Sequence, residues 1–327
     1  MNNQFYREFE DVFRGGSDVI QNRLQQYLPI VNYVKESFLS PYALDLGCGR
    51  GEWLTFCKNN DISAKGIDLD EAMLKECLEA GFDVEVVDAL AYLKCLDSES
   101  VTLISSFHMI EHLPFESTYE LIEEAYRVLQ PGGVILLETP NSENIIVGTN
   151  NFYIDPTHIK PIPNQLLSFV MDYLGFKNKK VLRVNGSNLS SDSLLNIIQN
   201  VSPDYSVLGI KNGKNIEKFN EIYLNGIGSS FFDVVSEYDL LHKKDIDIIK
   251  NEVQFLKNEI ARLEFEVNKS IFDHTKNKLK FIIKKILSYS PSLDAKARSV
   301  YSRYNGKMND KVPMSSVAKK IYKKLKK

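Results

Sequence analysis

From about Pro41 to Gly213, short apolar runs alternate with amphipathic stretches of helical period, the rhythm of strands and crossover helices in a doubly wound α/β sheet. The runs YALDL (42–46), AKGID (64–68), VEVV (84–87), VTLISS (101–106), VILLET (134–139), KKVLRV (179–184) and YSVLGI (205–210) read as seven strands. Helices are expected over 51–59, over 70–80 stopped by Gly81, over 117–129 before Pro131-Gly132-Gly133, over 164–174 stopped by Gly175, and over roughly 190–200. Residues 3–38 read as two helices separated by Arg14-Gly15-Gly16-Ser17. The 24 residues from Pro140 to Pro163 carry neither period, and in a compact domain such a length marks a lid or a binding loop.

After Gly228 the apolar spacing becomes a heptad. Ile246, Val253, Ile260 and Val267 fall at position a, with Ile249, Leu256 and Leu263 at d. β-Branched residues at a with Leu mostly at d favour a parallel two-stranded coiled coil, so a homo-oligomer is expected. Across it Asp245 would meet Lys250 and Glu252 would meet Lys257, while Glu259 facing Glu264 is repulsive.

Charge divides the chain further. The total of −3 conceals 16 Lys and Arg against Asp294 and Asp310 in residues 276–327, a net +14 that leaves −17 on the remainder. VAKKIYKKLKK (317–327) sets Val317, Ile321 and Leu325 on one helical stripe among six lysines, and KLKFIIKKIL (278–287) is similar. Such segments suit an anionic membrane surface. Nucleic acid is not expected, because base-stacking aromatics are not interleaved with the charges. No run approaches the roughly 18 apolar residues of a spanning helix, and MNNQFYREFEDVF has no apolar signal core. The four cysteines, at 48, 57, 77 and 95, form no CxxC pair, which fits a reducing cytoplasm.

The chemistry concentrates at strand ends. ALDLGCGRGEW puts Asp45 at the end of a strand and Gly47, Gly49 and Gly51 in the turn that enters a helix, where backbone N–H groups can face a ligand. Asp68 ends the second strand, placed for ribose hydroxyls, and Asp88-Ala89 follows the third, placed for an adenine amine.

In the order and spacing of DLGCGRGEW, GIDLD, DAL, IEHLPF and LQPGGVILLETP the chain resembles the class I S-adenosylmethionine-dependent methyltransferases. The resemblance implies a Rossmann-like α/β sheet of seven strands with the last antiparallel, and S-adenosyl-L-methionine as cofactor. A finer resemblance covers about residues 5–213. FYREFEDVFRGGSDVIQNRLQQYLPIV, TPNSENIIVGTNNFYIDPTHIKPIPNQLLSFVMDYLGF and DYSVLGIK look like the methyltransferase part of bacterial O-antigen chain-terminating enzymes. These methylate the end of a lipid-linked glycan. By the same resemblance Tyr6, Arg7 and Arg23 would reach over the cofactor, and Met109 would pack on it. The kinase motifs of the best-known members do not follow Ile210, so a sugar hydroxyl is at least as suitable an acceptor as a phosphate.

The segments expected are therefore N-terminal cap helices (1–40), a methyltransferase domain (41–213), a linker (214–234), a coiled coil (235–287) and a basic amphipathic tail (288–327). The tail would hold the protein peripherally on the cytoplasmic face of the inner membrane, beside lipid-linked glycan and a polysaccharide glycosyltransferase. A sugar hydroxyl needs a base near neutral pKa, and His112 and His158 are the catalytic candidates, the latter in FYIDPTH with Asp155 placed to orient it. FHMIEHLPF also spells the HxxEH pattern of a zinc peptidase. That pattern requires mid-helix placement, whereas here it follows a strand and runs into Pro114 with no third ligand in an obvious motif, so no metal is expected. The non-catalytic alternative is a cofactor-binding scaffold that recruits other enzymes through its coiled coil.

Overall fold

The computed structural model describes Phe13, residues 15–187, Leu189, and residues 192–224 and 226–269, with side chains as far as Glu264. Tyr6, Arg7, the expected first N-terminal helix, the end of the expected coiled coil and the basic segment 288–327 lie outside the described residues. Those described fall into two compact units: residues 15–189 with 198–232, and residues 192–197 with 233–269.

In the first unit the elements follow as α1 (Ser17–Leu24), α2 (Leu28–Ser37), β1 (Tyr42–Leu46), α3 (Glu52–Asn59), β2 (Ser63–Asp68), α4 (Glu71–Glu79), β3 (Asp83–Val86) and α5 (Ala89–Cys95). Then come β4 (Val101–Phe107), α6 (Phe115–Val128), β5 (Leu129–Pro140), α7 (Ile145–Thr149), α8 (Asn164–Tyr173) and β6 (Lys177–Val184). Helix α9 (Leu194–Asn200), β7 (Asp204–Ile210) and α10 (Ile216–Glu221) complete the order before α11 (Phe231–Lys269). The strand order is β3-β2-β1-β4-β5-β7-β6, with β7 antiparallel to both neighbours and the other pairings parallel. The expected seven-stranded methyltransferase sheet is therefore present. The direction of winding changes between β1 and β4, which opens a crevice at their carboxyl ends.

Alternation along the strands divides the core. On β5, Val134 and Leu136 join Tyr27, Ile30, Trp53 and Phe56 on one face, while Ile135 and Leu137 join Leu121, Ile122, Leu167 and Met171 on the other. Burial on both faces explains why the central strands read as continuous apolar runs.

Four local expectations change. Strand β5 begins at Leu129 rather than at 134, because Leu129 already pairs with Val101 and a register shift absorbs Pro131-Gly132-Gly133. The second N-terminal helix is broken by a 3-10 turn at Gln25–Tyr27, with Pro29 in the first turn of α2. Helix α5 goes unforeseen after Asp88, whose Oδ1 accepts Ala91 N–H (2.9 Å). The 140–163 segment is not a bare loop. Asn144 Oδ1 caps α7 by accepting the N–H groups of Ile146 and Val147, and a 3-10 turn follows at Asn151–Ile154. Asn141 and Asn144 also donate to the carbonyls of Ser202 and Val201, and Ile159 N–H donates to Glu111 O (2.9 Å).

In the second unit α11 runs 39 residues through the predicted heptads. Ile246, Val253 and Ile260 are exposed in the single chain, as unpaired a positions would be. Among the described residues no helix is long and apolar enough to cross a membrane.

Candidate active site

Gly47, Gly49 and Gly51 hold φ of +73°, +50° and +77° and turn the chain from β1 into α3. At Gly47 the left-handed backbone is reinforced by space, since a Cβ there would stand 2.7 Å from Cγ of Met109. Gly47 and Cys48 donate their N–H groups to Ile67 O (2.9 and 3.0 Å), and Gly49 donates to Asp68 Oδ2 (2.9 Å). Asp70 N–H donates to Asp68 Oδ1 (2.9 Å). Two backbone donors thus aim the Asp68 carboxylate, and each oxygen retains acceptor capacity for a ribose hydroxyl. Asp45, buried, accepts Ser105 Oγ–H from β4 (2.7 Å). Asp88 and Ala89 follow β3, with Asp88 spending one carboxylate oxygen as the cap of α5. This donor and acceptor set fits S-adenosylmethionine: a rigid carboxylate for the ribose, and a glycine turn that lets backbone approach the ligand.

A cleft of about 60 Å³ lies beside the turn, lined by residues that include Arg23, Asp45, Gly47, Trp53, His108 and Glu138. That volume is far below the ~300–1,000 Å³ of a small-molecule pocket, so the cleft accommodates only part of such a ligand. Arg23 on α1, expected to reach over the cofactor, lines this cleft. Arg50 is engaged elsewhere, with Nε on Glu52 Oε1 (2.9 Å) and a guanidinium nitrogen on Gly15 O (3.2 Å). Trp53 lines the same cleft, and its buried indole N–H has no hydrogen-bond partner.

His108, at φ +52°, stands among acids. Its Nε2 is 3.3 Å from Glu138 Oε1 and 3.9 Å from Asp204 Oδ1, and its Nδ1 is 3.3 Å from Glu111 Oε1. Burial alone would push the imidazole down, but Asp204, Glu111 and Glu138 outweigh it and hold its pKa well above the ordinary histidine value. Burial raises the Asp204 carboxyl against the pull of His108; at Glu111 the balance reverses, burial being overcome by His108, and its pKa falls. Tyr27 Oη donates to Glu138 Oε2, and Asn185 Nδ2 donates to Asp204 Oδ2 (2.8 Å).

His112 and His158 meet edge to face with ring centroids 4.6 Å apart. His158 Nδ1–H donates to Phe152 O (2.6 Å), and its Nε2 stands 3.9 Å from Oδ2 of Asp155, the predicted partner, which is also linked to His112. Thr157 Oγ1 donates to Asp155 Oδ1 (2.6 Å) and bonds His112 Nδ1 (2.8 Å). Burial lowers the His112 pKa, with Glu111 opposing. HxxEH does not lie on an α-helix, since Ile110–His112 is a 3-10 turn and His108 and His112 stand in different clusters.

The predicted residues Arg23, Asp45 and Gly47 therefore converge on one cleft, where His108 joins them; Met109 packs against its glycine turn, which Gly49 and Asp68 brace. The reading of the sequence missed Tyr27, Trp53, Glu138, Asn185 and Thr157. The sole advance signal among these was Glu138, a charged residue inside the apolar run VILLET.

Comparison with known proteins agrees with this geometry. Residues 44–137 match the family described as "Methyltransferase domain". A crystal structure of a SAM dependent methyltransferase from Archaeoglobus fulgidus is 32% identical with a TM-score of 0.54, covering 63% of this chain and 100% of that one. A "Probable S-adenosylmethionine-dependent methyltransferase" of Mycolicibacterium smegmatis is 30% identical over 149 residues, 45% of this chain, and the match spans 56% of that relative's length. A carboxy-S-adenosyl-L-methionine synthase of Actinobacillus succinogenes is 24% identical over 204 residues, 58% of this chain and 83% of its own.

Proposed function

Since the chain belongs to the S-adenosylmethionine-dependent methyltransferases, we propose that it methylates a hydroxyl at the end of a lipid-linked bacterial surface polysaccharide and so stops its elongation. The observation that carries the hydroxyl acceptor is the acidity around the histidine pair. Glu111 Oε1 stands 4.0 Å and Asp155 Oδ2 3.9 Å from His158 Nε2. A phosphate acceptor would meet repulsion there, whereas sugar hydroxyls donate readily to carboxylates.

The cofactor supplies an electrophilic methyl group on a sulfonium. Asp68 and the glycine turn hold its nucleoside, Arg23 meets its carboxylate, and alignment of the two reactants provides much of the acceleration. The His112–His158 pair, at the carboxyl edge of β4, engages the acceptor hydroxyl. The lipid-linked glycan rests on the resemblance of residues 5–213 to O-antigen chain-terminating enzymes. Heptads in α11 pair two chains, and the basic segment 276–327 binds the anionic cytoplasmic leaflet at about 1 kcal/mol per lysine near the surface. Deletion of 276–327 shifts the protein from membrane to soluble fractions; unchanged fractionation removes the anchoring from the proposal.

The test is transfer of labelled methyl from S-adenosylmethionine to lipid-linked glycans from cells lacking this protein, followed by location of the methyl. A methyl ether on the terminal sugar is expected. Cofactor binding without transfer to any such glycan would favour the scaffold alternative.

A further inference from the structure

We propose that Glu111, His112 and His158 hold a divalent transition-metal ion that receives the acceptor hydroxyl. The inference deepens the methyltransferase reading above and rests on it for the identity of the acceptor. One ligand atom from each of the three residues lies within 4.8 Å of the others, and no ion is needed to bring them there. Zn–N and Zn–O bonds are about 2.0–2.2 Å, which sets tetrahedral ligand atoms roughly 3.3–3.6 Å apart, so an ion would draw the set together by up to about 1 Å.

The hydrogen bonds around the cluster are made by the atoms that would not ligate, leaving Nε2 of both imidazoles for an ion. His158 Nδ1–H donates to Phe152 O (2.6 Å), which fixes the tautomer with the lone pair on Nε2. Thr157 Oγ1 gives its single proton to Asp155 Oδ1 (2.6 Å), so it accepts from His112 Nδ1–H (2.8 Å) and leaves His112 Nε2 basic. Thr139 Oγ1 donates to Glu111 Oε2 (2.9 Å). The other oxygen, Oε1, belongs to a side chain with no exposed surface; it accepts no hydrogen bond of good geometry and faces His108 Nδ1 at 3.3 Å. His158 Nε2 stands 4.0 Å from that oxygen. A buried carboxylate oxygen that an ion would share with or take from His108, beside two imidazoles held by a carbonyl and by a carboxylate-anchored hydroxyl, is the outer-shell arrangement of a metal site.

The neighbouring set of His108, Glu138 and Asp204 is built otherwise. There Tyr27 and Asn185 donate to the carboxylates and His108 pairs with both, so the group closes on itself. The HxxEH spacing is thus a coincidence for its first histidine and meaningful for Glu111 and His112, with the third ligand supplied by the 140–163 segment.

Two imidazoles and one carboxylate leave an open position and select zinc, manganese, cobalt or iron(II) over magnesium or calcium. A hydroxyl bound there acidifies and gives its proton to solvent. The oxygen lone pair then forms the O–CH3 bond, the C–S pair returns to sulfur, and S-adenosylhomocysteine leaves.

The test uses the full chain without a histidine tag, stripped with chelator and titrated with zinc chloride or, for a visible ligand-field spectrum, cobalt chloride. One ion per chain is expected, with Glu111→Gln and His158→Ala each weakening uptake at least tenfold while S-adenosylmethionine affinity and melting temperature hold. Equal uptake by wild type and the double variant would overturn the site, and so would glycan methylation that survives chelation undiminished. Specific ion binding without glycan methylation would instead uphold the site and remove the glycan reading. Should a variant fail to fold, the stoichiometry and cobalt spectrum of the wild type, with His112→Gln as second variant, still decide.

Discussion

The glycine turn and the histidine pair stand on the carboxyl edge of one sheet and are assembled in opposite ways. Residues 45–70 form a local device in which backbone N–H groups of Gly47, Cys48, Gly49 and Asp70 lace β1 to β2 and orient Asp68. The histidine region is a side-chain device. It needs Glu111 and His112 from the turn after β4, Thr139 from β5, and Phe152, Asp155, Thr157 and His158 from a segment some forty residues on. A backbone device tolerates few changes and serves what all relatives share, the cofactor. A side-chain device can vary with the acceptor.

This contrast fails if lesions in one region spread to the other. The largest effect is expected from His158→Ala, which lowers turnover about 10²–10⁴-fold while isothermal titration shows the same S-adenosylmethionine affinity. A comparable loss of cofactor binding would mean that the two regions are one. Gly47→Val comes next. Its φ of +73° and a Cβ 2.7 Å from Met109 impose strain of ~1–3 kcal/mol, and cofactor affinity falls on the order of a hundredfold, about 2.7 kcal/mol. A melting curve separates that loss from unfolding. Thr157→Val is smaller. It removes the link between Asp155 and His112 and lowers turnover by roughly tenfold, the lower end for outer-shell partners, with Thr157→Ser restoring most of it.

The same difference decided what the sequence disclosed. The strands, the glycine turn and Asp68 were legible because period, glycine and strand-end carboxylates are local marks. Helix α5 escaped because Asp88 was read only as a ligand acid, although an Asp before Ala89-Leu90-Ala91 is also a helix cap. Tyr27, Trp53, Asn185 and Thr157 carry no local mark at all. Tyr27 meets Glu138 across 111 residues of chain, and only the folded sheet brings them together. His158 and its neighbour Asp155 are legible in FYIDPTH, whereas the bond to Phe152 is not, because Phe152 acts through its carbonyl, which no side-chain pattern reveals.

The bond from Ile159 N–H to Glu111 O has an evolutionary consequence. Main-chain atoms do not read side-chain identity, so any residue but proline at position 159 keeps the attachment. Exposed Ile145, Ile146, Tyr153 and Ile154 can therefore change while His158 stays where it is. The fastening makes the outer face of the segment replaceable without moving the histidine pair beneath it.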